Sequence, residues 1–313
     1  MSGVQERRSP AHSYADALAS VAGRDPLVHL FETPGAPREL GRAFRQQHAP
    51  RSAEGSLEVA LTGGAAGRER GARWVVHTSL DECVGPGFRA LWSATRQPTG
   101  DLHLVAAGGV AASPHPAAFS DIGLLRGIPH LNLVVPADAP STAAALEVLV
   151  QSETASYLRL PGLEEVPTVT GGEFELGRAR ELRPGADLTI AAVGRAVGRG
   201  LEVSEELRRV GLSVRVLDLA SVKPVDTKAI LRAARDTGAI LTMEDHVVAT
   251  GVGALVATLV AEEYPVPVRR LGAPDLAPEP AATAETNLDT IGLTRARGLD
   301  EAWELLRMRG KVQ

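Results

Sequence analysis

One cysteine, Cys83, is all that a chain of 313 residues contains. An internal disulfide and a cysteine-based zinc cage are therefore excluded, and the expected setting is cytoplasmic. Aromatic residues are scarce, at 4%, so small residues must carry much of the helix-on-sheet packing. No strong charge imbalance exists: the net charge is -5 and there is no basic stripe, which argues against a nucleic-acid partner. No apolar run approaches the length that spans a membrane. Met1 to His12 is polar and lacks the apolar centre of a secretory signal. Self-contained ligand motifs are missing too. There is no phosphate loop, no Gly-x-Ser-x-Gly elbow and no histidine pair at zinc spacing. Gly194, Gly198 and Gly200 follow an apolar run, but without the spacing of a dinucleotide fingerprint.

What remains is an ordinary globular composition, 44% apolar and 23% charged, at a length that suggests two domains. In the first half, strands are expected at Pro26–Phe31, Arg73–Thr78, Leu102–Gly109, Leu131–Asp138 and Ser156–Leu160. Helices are expected at Ser13–Ala22, Arg38–His48, Val84–Thr95, Ser120–Arg126 and, capped by Ser141, Thr142–Ser152. Pro161 to Gly172 lacks any helical period and reads as an interdomain linker. Past it, a hairpin-like piece at Phe174–Leu182 precedes strands at Asp187–Gly194, Ser213–Asp218, Ala239–Glu244 and, on an edge, Val266–Leu271. Helices at Ala196–Arg209, Asp226–Thr237, Gly251–Glu263 and Asp300–Arg309 alternate with them, and Lys223-Pro224 marks a turn. The alternation predicts an α/β chain with two open, mostly parallel sheets covered by helices. The expected boundaries are 12–163 for the first domain, 164–177 for the linker and 178–309 for the second domain.

The stretch Arg51 to Ala66 organises the first half. Glu54 opens it, and Leu57, Ala60, Leu61 and Gly64 recur at helical spacing, which predicts a short buried helix of small residues capped by Ser52. Locally, Glu54 fits an acid in the first turn of a solvated helix as well as a functional carboxylate. Other polar groups fall just after strands, where open α/β sheets place their sites: His77 to Glu82, Gly108 to Asp121, Arg159, Lys223 and Glu244-Asp245-His246.

The order of these segments resembles the C-terminal half of the transketolase family, over roughly residues 12 to 308. Ser13-Tyr-Ala-Asp-Ala-Leu18 is similar to the family's opening helix. Ala53-Glu54-Gly55 through Gly63-Gly-Ala-Ala66 is similar to its Ala-Glu-Gln segment and glycine-alanine helix. Asp121-Ile-Gly-Leu-Leu-Arg126 and Val134-Val-Pro-Ala-Asp138 follow in order. Leu217-Asp-Leu-Ala-Ser-Val-Lys-Pro-Val-Asp226 and Glu244-Asp-His246 with Gly251-Val-Gly253 are the most specific matches. The resemblance implies a pyrimidine-binding domain followed by a transketolase C-terminal domain, as the small subunit of a split enzyme. It also implies thiamine diphosphate and Mg²⁺ as cofactors, with the diphosphate and metal held by a partner subunit that carries the Gly-Asp-Gly motif missing from this chain. Two large and two small subunits would then make a heterotetramer. By that resemblance Glu54 hydrogen-bonds the cofactor's pyrimidine and helps shift it to the imino form. An apolar pocket would suit such proton exchange, because burial favours a neutral carboxyl group.

By the same resemblance, cofactor contacts come from Glu54, His77, Leu80, Glu82 and Phe88, and substrate contacts from Arg159 and His246. The family's Asp-Gly-Pro-Thr-His-Gln loop reads here as Ala112-Ser-Pro-His-Pro-Ala117, so its aspartate and histidine are gone from their aligned places. His115, one place earlier, is the candidate replacement and joins Glu54 as a catalytic candidate. The pyrimidine-stacking aromatics are also replaced, by Thr78 to Gly85, with Phe88 left further along. Two readings stay open. The chain is the small subunit of a transferase moving a two-carbon ketol or acyl unit, in a specialised biosynthetic pathway, with a carrier-bound acceptor among the options. Alternatively it is a degenerate, non-catalytic subunit that scaffolds or regulates an active partner. Neither involves nucleic acid or a membrane.

Overall fold

The computed structural model of the chain describes residues 7–63, 71–96, 101–107, 119–275 and 288–312. Strand β1 (Arg7–Arg8) leads into α1 (Pro10–Arg24), β2 (Val28–Glu32) and α2 (Arg42–His48). A 3-10 turn at Ala49–Arg51 precedes β3 (Ser52–Glu54), and a π turn spans Val59–Gly63. Next come β4 (Arg73–Thr78), α3 (Leu80–Val84), α4 (Phe88–Ala94), β5 (Leu102–Ala107), α5 (Asp121–Leu125), β6 (Leu131–Val134), α6 (Ala139–Val150), β7 (Ala155–Leu160) and β8 (Val166–Pro167). The remainder is β9 (Arg180–Arg183), β10 (Leu188–Ala192), α7 (Ala196–Arg209), β11 (Val214–Asp218), β12 (Ser221–Lys223), α8 (Thr227–Thr237), β13 (Ile240–Val247), α9 (Val252–Glu263), β14 (Val268–Ala273) and α10 (Arg295–Met308).

Two sheets carry these strands. The first runs β12-β6-β7-β5-β4-β2-β3 and the second β14-β13-β10-β11-β9. All pairings within them are parallel except those of β12 with β6 and of β9 with β11. The central strands β5, β7 and β10 are buried at every position, as near-continuous apolar runs require when both faces are covered. The α/β class expected from the alternation is therefore observed. Strand β12 belongs to the second half of the chain yet extends the first sheet, with Ser221 opposite Val134, so the two halves interlock.

Several local expectations need correction. The Glu54 segment is not a helix start: Glu54 ends the edge strand β3, and Ser52 lies in that strand instead of capping anything. Leu57, Ala60 and Leu61 are buried as expected, on a short helical stretch that starts at Leu57 and continues as the π turn. The helix expected over Val84–Thr95 starts only at Phe88, as α4; Val84 ends the preceding α3, and Gly85-Pro86-Gly87 separates the two. The cap of α6 is Asp138, which accepts from Ser141 N–H at 3.0 Å, while Ser141 Oγ accepts from Asp138 N–H at 3.2 Å in a reciprocal capping box. The segment read as a linker is tied down. Its strand β8 pairs with β1, and Val169 and Thr170 donate their N–H groups to Asp138 Oδ2 at 2.7 and 2.6 Å. The hairpin expected at Phe174–Leu182 is absent; its end becomes β9 and pairs with β11.

Candidate functional site

The carboxyl ends of the first sheet's strands gather the polar side chains. Glu54, Glu32 and His77 stand in register across β3, β2 and β4. One residue further along, Thr78, Ala106 and Arg159 form the next row across β4, β5 and β7. This is the edge at which open α/β sheets place ligands.

Glu54 is exposed and lines a cavity of about 150 Å³ together with Glu32, Thr33, Pro34, Ala36, Arg38 and Arg45. The apolar surroundings expected for it are not provided by the described residues of this chain: two carboxylates and two guanidiniums face the space. Gly55, directly after it, donates to Glu32 O at 3.1 Å and packs against Phe31, whose Cζ would have to shift for a Cβ, 2.9 Å away. Glu32 is buried and bonded to Arg45. Burial pushes its carboxyl up, but His77 and Arg45 outweigh that and hold it below the usual carboxylate value.

His77 is fully buried. Tyr14 Oη lies 2.8 Å from its Nε2, and Glu32 Oε1 is 3.4 Å from its Nδ1. Burial pushes the imidazole below its ordinary value, against the pull of Glu32, so the ring is a neutral hydrogen-bonding bridge. Glu82 accepts from Thr33 and, at 3.1 Å, from Thr78, and it sits at the third position of α3 behind the Ser79 cap. Leu80 is a core residue, and Phe88 packs half-buried against the same core. His115 and the whole segment Ala112–Ala117 lie outside the described residues.

Arg159 and His246 are interior groups. The Arg159 guanidinium meets Asp245 Oδ1 at 3.0 Å and Asp121 Oδ2 at 3.3 Å. Burial alone would lower its pKa, but Asp121 and Asp245 raise it above the usual guanidinium value. Tyr157 Oη donates to Asp121 at 2.8 Å. His246 Nε2 lies 3.3 Å from the Asp245 oxygen that faces Arg159, and its Nδ1 is 3.4 Å from Glu244. Glu244 in turn accepts from the N–H groups of Val252 and Gly253 at the start of α9. The two candidate substrate residues are thus brought together through one carboxylate, facing inward. Their partners Asp121 and Asp245 fall within the polar segments after strands that the sequence marks, though without a role of their own; the pair Tyr14 and Glu32 does not. Glu32 carried a signal, as the residue just after the expected strand Pro26–Phe31; Tyr14 carried none beyond its place on the apolar face of α1. No group of three side chains able to hold a metal ion occurs among the described residues.

Comparison with known proteins places this geometry. Residues 177–297 match the family model "Transketolase, C-terminal domain". Over 308 residues the chain is 31% identical to a putative transketolase family protein of Sinorhizobium fredii, covering 95% of this chain and 88% of that one. The chain belongs to the transketolase family. It is also 42% identical over 174 residues to one subunit of an apulose-4-phosphate transketolase of Phocaeicola vulgatus. That match covers 55% of this chain and 54% of the relative, so it spans about half the relative's length. Among solved structures, a chain described as a split gene transketolase, inactive beta4 tetramer, superposes with a TM-score of 0.84 at 29% identity, over 96% of this chain and 98% of that one. The transketolase fold therefore extends over both sheets. Among the described residues no helix is long and apolar enough to cross a membrane.

Proposed function

We propose that this transketolase-family chain is the small subunit of a split enzyme that transfers a two-carbon ketol or acyl unit. The observation that carries the reading is Glu54: on a transketolase fold, its carboxylate closes the row Glu54, Glu32, His77 and opens into a cavity at the sheet's carboxyl edge. The reading divides the chain at 12–163 and 178–309 and gives it a partner subunit that binds the diphosphate and Mg²⁺ of thiamine diphosphate, in an α2β2 assembly. The Phocaeicola vulgatus relative, itself one subunit of a transketolase, supports a two-subunit arrangement. So does the surface: Val59, at 52% exposure, and Trp92, at 43%, stand out on two segments that pack against each other beside the Glu54 stretch.

The residues present fit the cofactor's pyrimidine on one side. Glu54 offers an exposed carboxylate, an acceptor or, protonated, a donor for a ring nitrogen. Bound thiamine diphosphate would supply an electron sink at the reacting carbon, which side chains lack. This chain's share is positional. Glu54 holds and exchanges a proton at its carboxyl group. Glu32, kept ionised by Arg45 and His77, fixes the floor beside it, and the neutral His77 ties that floor to Tyr14 on α1.

One observation favours a second, non-catalytic reading: Arg159 and His246 are engaged with interior carboxylates and are not open to a substrate. A single experiment separates the two. The chain is purified together with the large subunit, and ketol transfer is measured for the wild type and for Glu54→Gln. The catalytic reading expects the substitution to abolish turnover while the complex elutes unchanged on size exclusion. Wild-type turnover in Glu54→Gln, or no thiamine diphosphate bound to the purified pair, would sink it.

A further inference from the structure

A second pocket lies at the carboxyl end of β11, on the other sheet, away from Glu54. It has a volume of about 420 Å³, within the range of small-molecule sites. Asp218 forms its deep end, Phe174, Ala179 and Ala220 its apolar wall, and Arg178 and Arg180 its basic side. Asp218 is only 3% exposed, and its Oδ1 has no hydrogen-bond partner among the described residues. A buried acceptor in that condition calls for a donor. The neighbouring Asp138 cannot supply one, because its two oxygens already accept from Ser141, Val169 and Thr170.

The basic side is loosely held. The Arg178 and Arg180 guanidiniums lie 3.9 Å from the Glu175 carboxylate and 3.7 Å from the Glu173 carboxylate, beyond direct hydrogen-bond length; Arg180 donates only a long bond, 3.4 Å, to Glu173 O, and the two glutamates are 76% and 89% exposed. Ion pairs of that kind contribute little and exchange readily with another anion. We propose that this pocket binds a small hydroxylated anion, whose hydroxyl meets the Asp218 carboxyl group while its anionic end replaces Glu175 and Glu173 on Arg178 and Arg180. An ammonium group in place of the hydroxyl would meet repulsion from both guanidiniums. A hydroxyl also suits either form of the acid, since it donates to a carboxylate and accepts from a carboxylic acid. Burial, reinforced by Asp138, pushes Asp218 up to about 7, so both forms are present near neutrality. The short carbon skeleton of such a ligand would lie along Phe174. The site does not depend on thiamine chemistry, and its test is separate.

The full chain is titrated by calorimetry with sn-glycerol 3-phosphate, which carries both groups, and with inorganic phosphate and glycerol, which carry one each. Hydrogen exchange then locates the ligand. The expected result is saturable binding of glycerol 3-phosphate, at least tenfold tighter than either partial probe, with protection confined to residues 173–180 and 218–220. Asp218→Ala and the double variant Arg178→Ala/Arg180→Ala should each weaken it tenfold or more. The double variant changes two partly exposed side chains, so the test stands even if Asp218→Ala fails to fold. The proposal is overturned by the absence of saturable binding, by binding within twofold of wild type in the double variant, by inorganic phosphate binding as tightly, or by protection elsewhere.

Discussion

The Arg159 guanidinium on β7 sits 3.0 Å from Asp245 on β13, so an ion pair joins the two sheets through their interior. Asp121 on α5 supplies the second carboxylate, at 3.3 Å. Asp245 is itself stabilised as an anion: burial pushes it up, but Arg159 and His246 hold it below the usual carboxylate value. One cation thus neutralises two buried carboxylates from different parts of the fold, and a neighbouring histidine shares one of them.

Breaking this pair from one side should be severe. Asp245→Ala takes away one of the two carboxylates that face Arg159, and removing one partner of a buried pair costs about 3–5 kcal/mol. Arg159→Met leaves two carboxylates buried without their cation and should cost a similar amount. The double variant Arg159→Met/Asp245→Ala should cost less than the two single losses together, because the pair is then removed as a unit and only Asp121 loses its cation. Denaturant unfolding of all four proteins checks this. Strictly additive losses would show that the ion pair does not couple the sheets.

Periodicity revealed most of the elements. The helix Ala196–Arg209 and the strand Arg73–Thr78 have the ends expected of them, and the alternation implied both sheets. What was not legible depends on contacts distant in sequence. Strand β12 joins a sheet whose other members all lie before residue 161, with β9, β10, α7 and β11 between, which no local pattern announces. Glu54 ends a strand of three residues, too short for a period of two to show, and the helical stretch that follows begins only at Leu57, three residues later. Asp138 was visible as part of a Val-Pro-Ala-Asp run, but its role as the cap of α6 and the anchor of Val169 and Thr170 needed the fold. The Glu54 resemblance named the carboxylate; the row that supports it, Glu32 and His77 with Tyr14 behind, emerged only from the register.

Acid should weaken the chain through that row. In the folded protein His77 lies below its ordinary 6.5, so just under pH 6.5 the unfolded chain takes up a proton that the folded one refuses, and stability falls as pH falls. Glu32, held below its ordinary 4.5, adds a second loss as pH drops through 4.5 toward its folded value. His77→Gln keeps an amide for hydrogen bonding, removes the first loss, and leaves Arg45 to hold Glu32 down at the lower pH of the second. Urea unfolding between pH 7 and pH 5 should therefore be flatter in His77→Gln than in the wild type. Parallel profiles would mean that His77 contributes nothing to the acid sensitivity.

Gly251 is required by the buried Glu244. Any Cβ at Gly251 would overlap the Glu244 carboxylate that accepts from Val252 and Gly253 at the start of α9. Gly251→Ala should cost about 1–3 kcal/mol by overpacking, read as a lowered Tm. Shortening the acid relieves the overlap, so Gly251→Ala/Glu244→Asp should lose less than the sum of the two single variants. A double variant as unstable as that sum would place the difficulty in the backbone instead.

Asp218 should destabilise the protein as pH rises toward neutrality, in the opposite sense to His77. Its folded value is about 7 against an ordinary 3.8, because burial, followed by the neighbouring Asp138, opposes its charge. Between pH 3.8 and 7 the folded chain binds a proton that the unfolded chain has released, so this residue's contribution falls as pH rises through that window and is then constant. At ~1.36 kcal/mol per unit the full penalty is at most about 4 kcal/mol. Asp218→Asn removes the charge and keeps the shape. It should be more stable than the wild type above pH 7, by up to about that amount, and the advantage should shrink to nothing by pH 3.8. Chemical denaturation of both proteins across that range decides the matter, since every other titrating group is common to the two. If Asp218→Asn is less stable than the wild type at pH 8, the carboxylate has a favourable partner in the fold and the burial penalty is not what sets its behaviour.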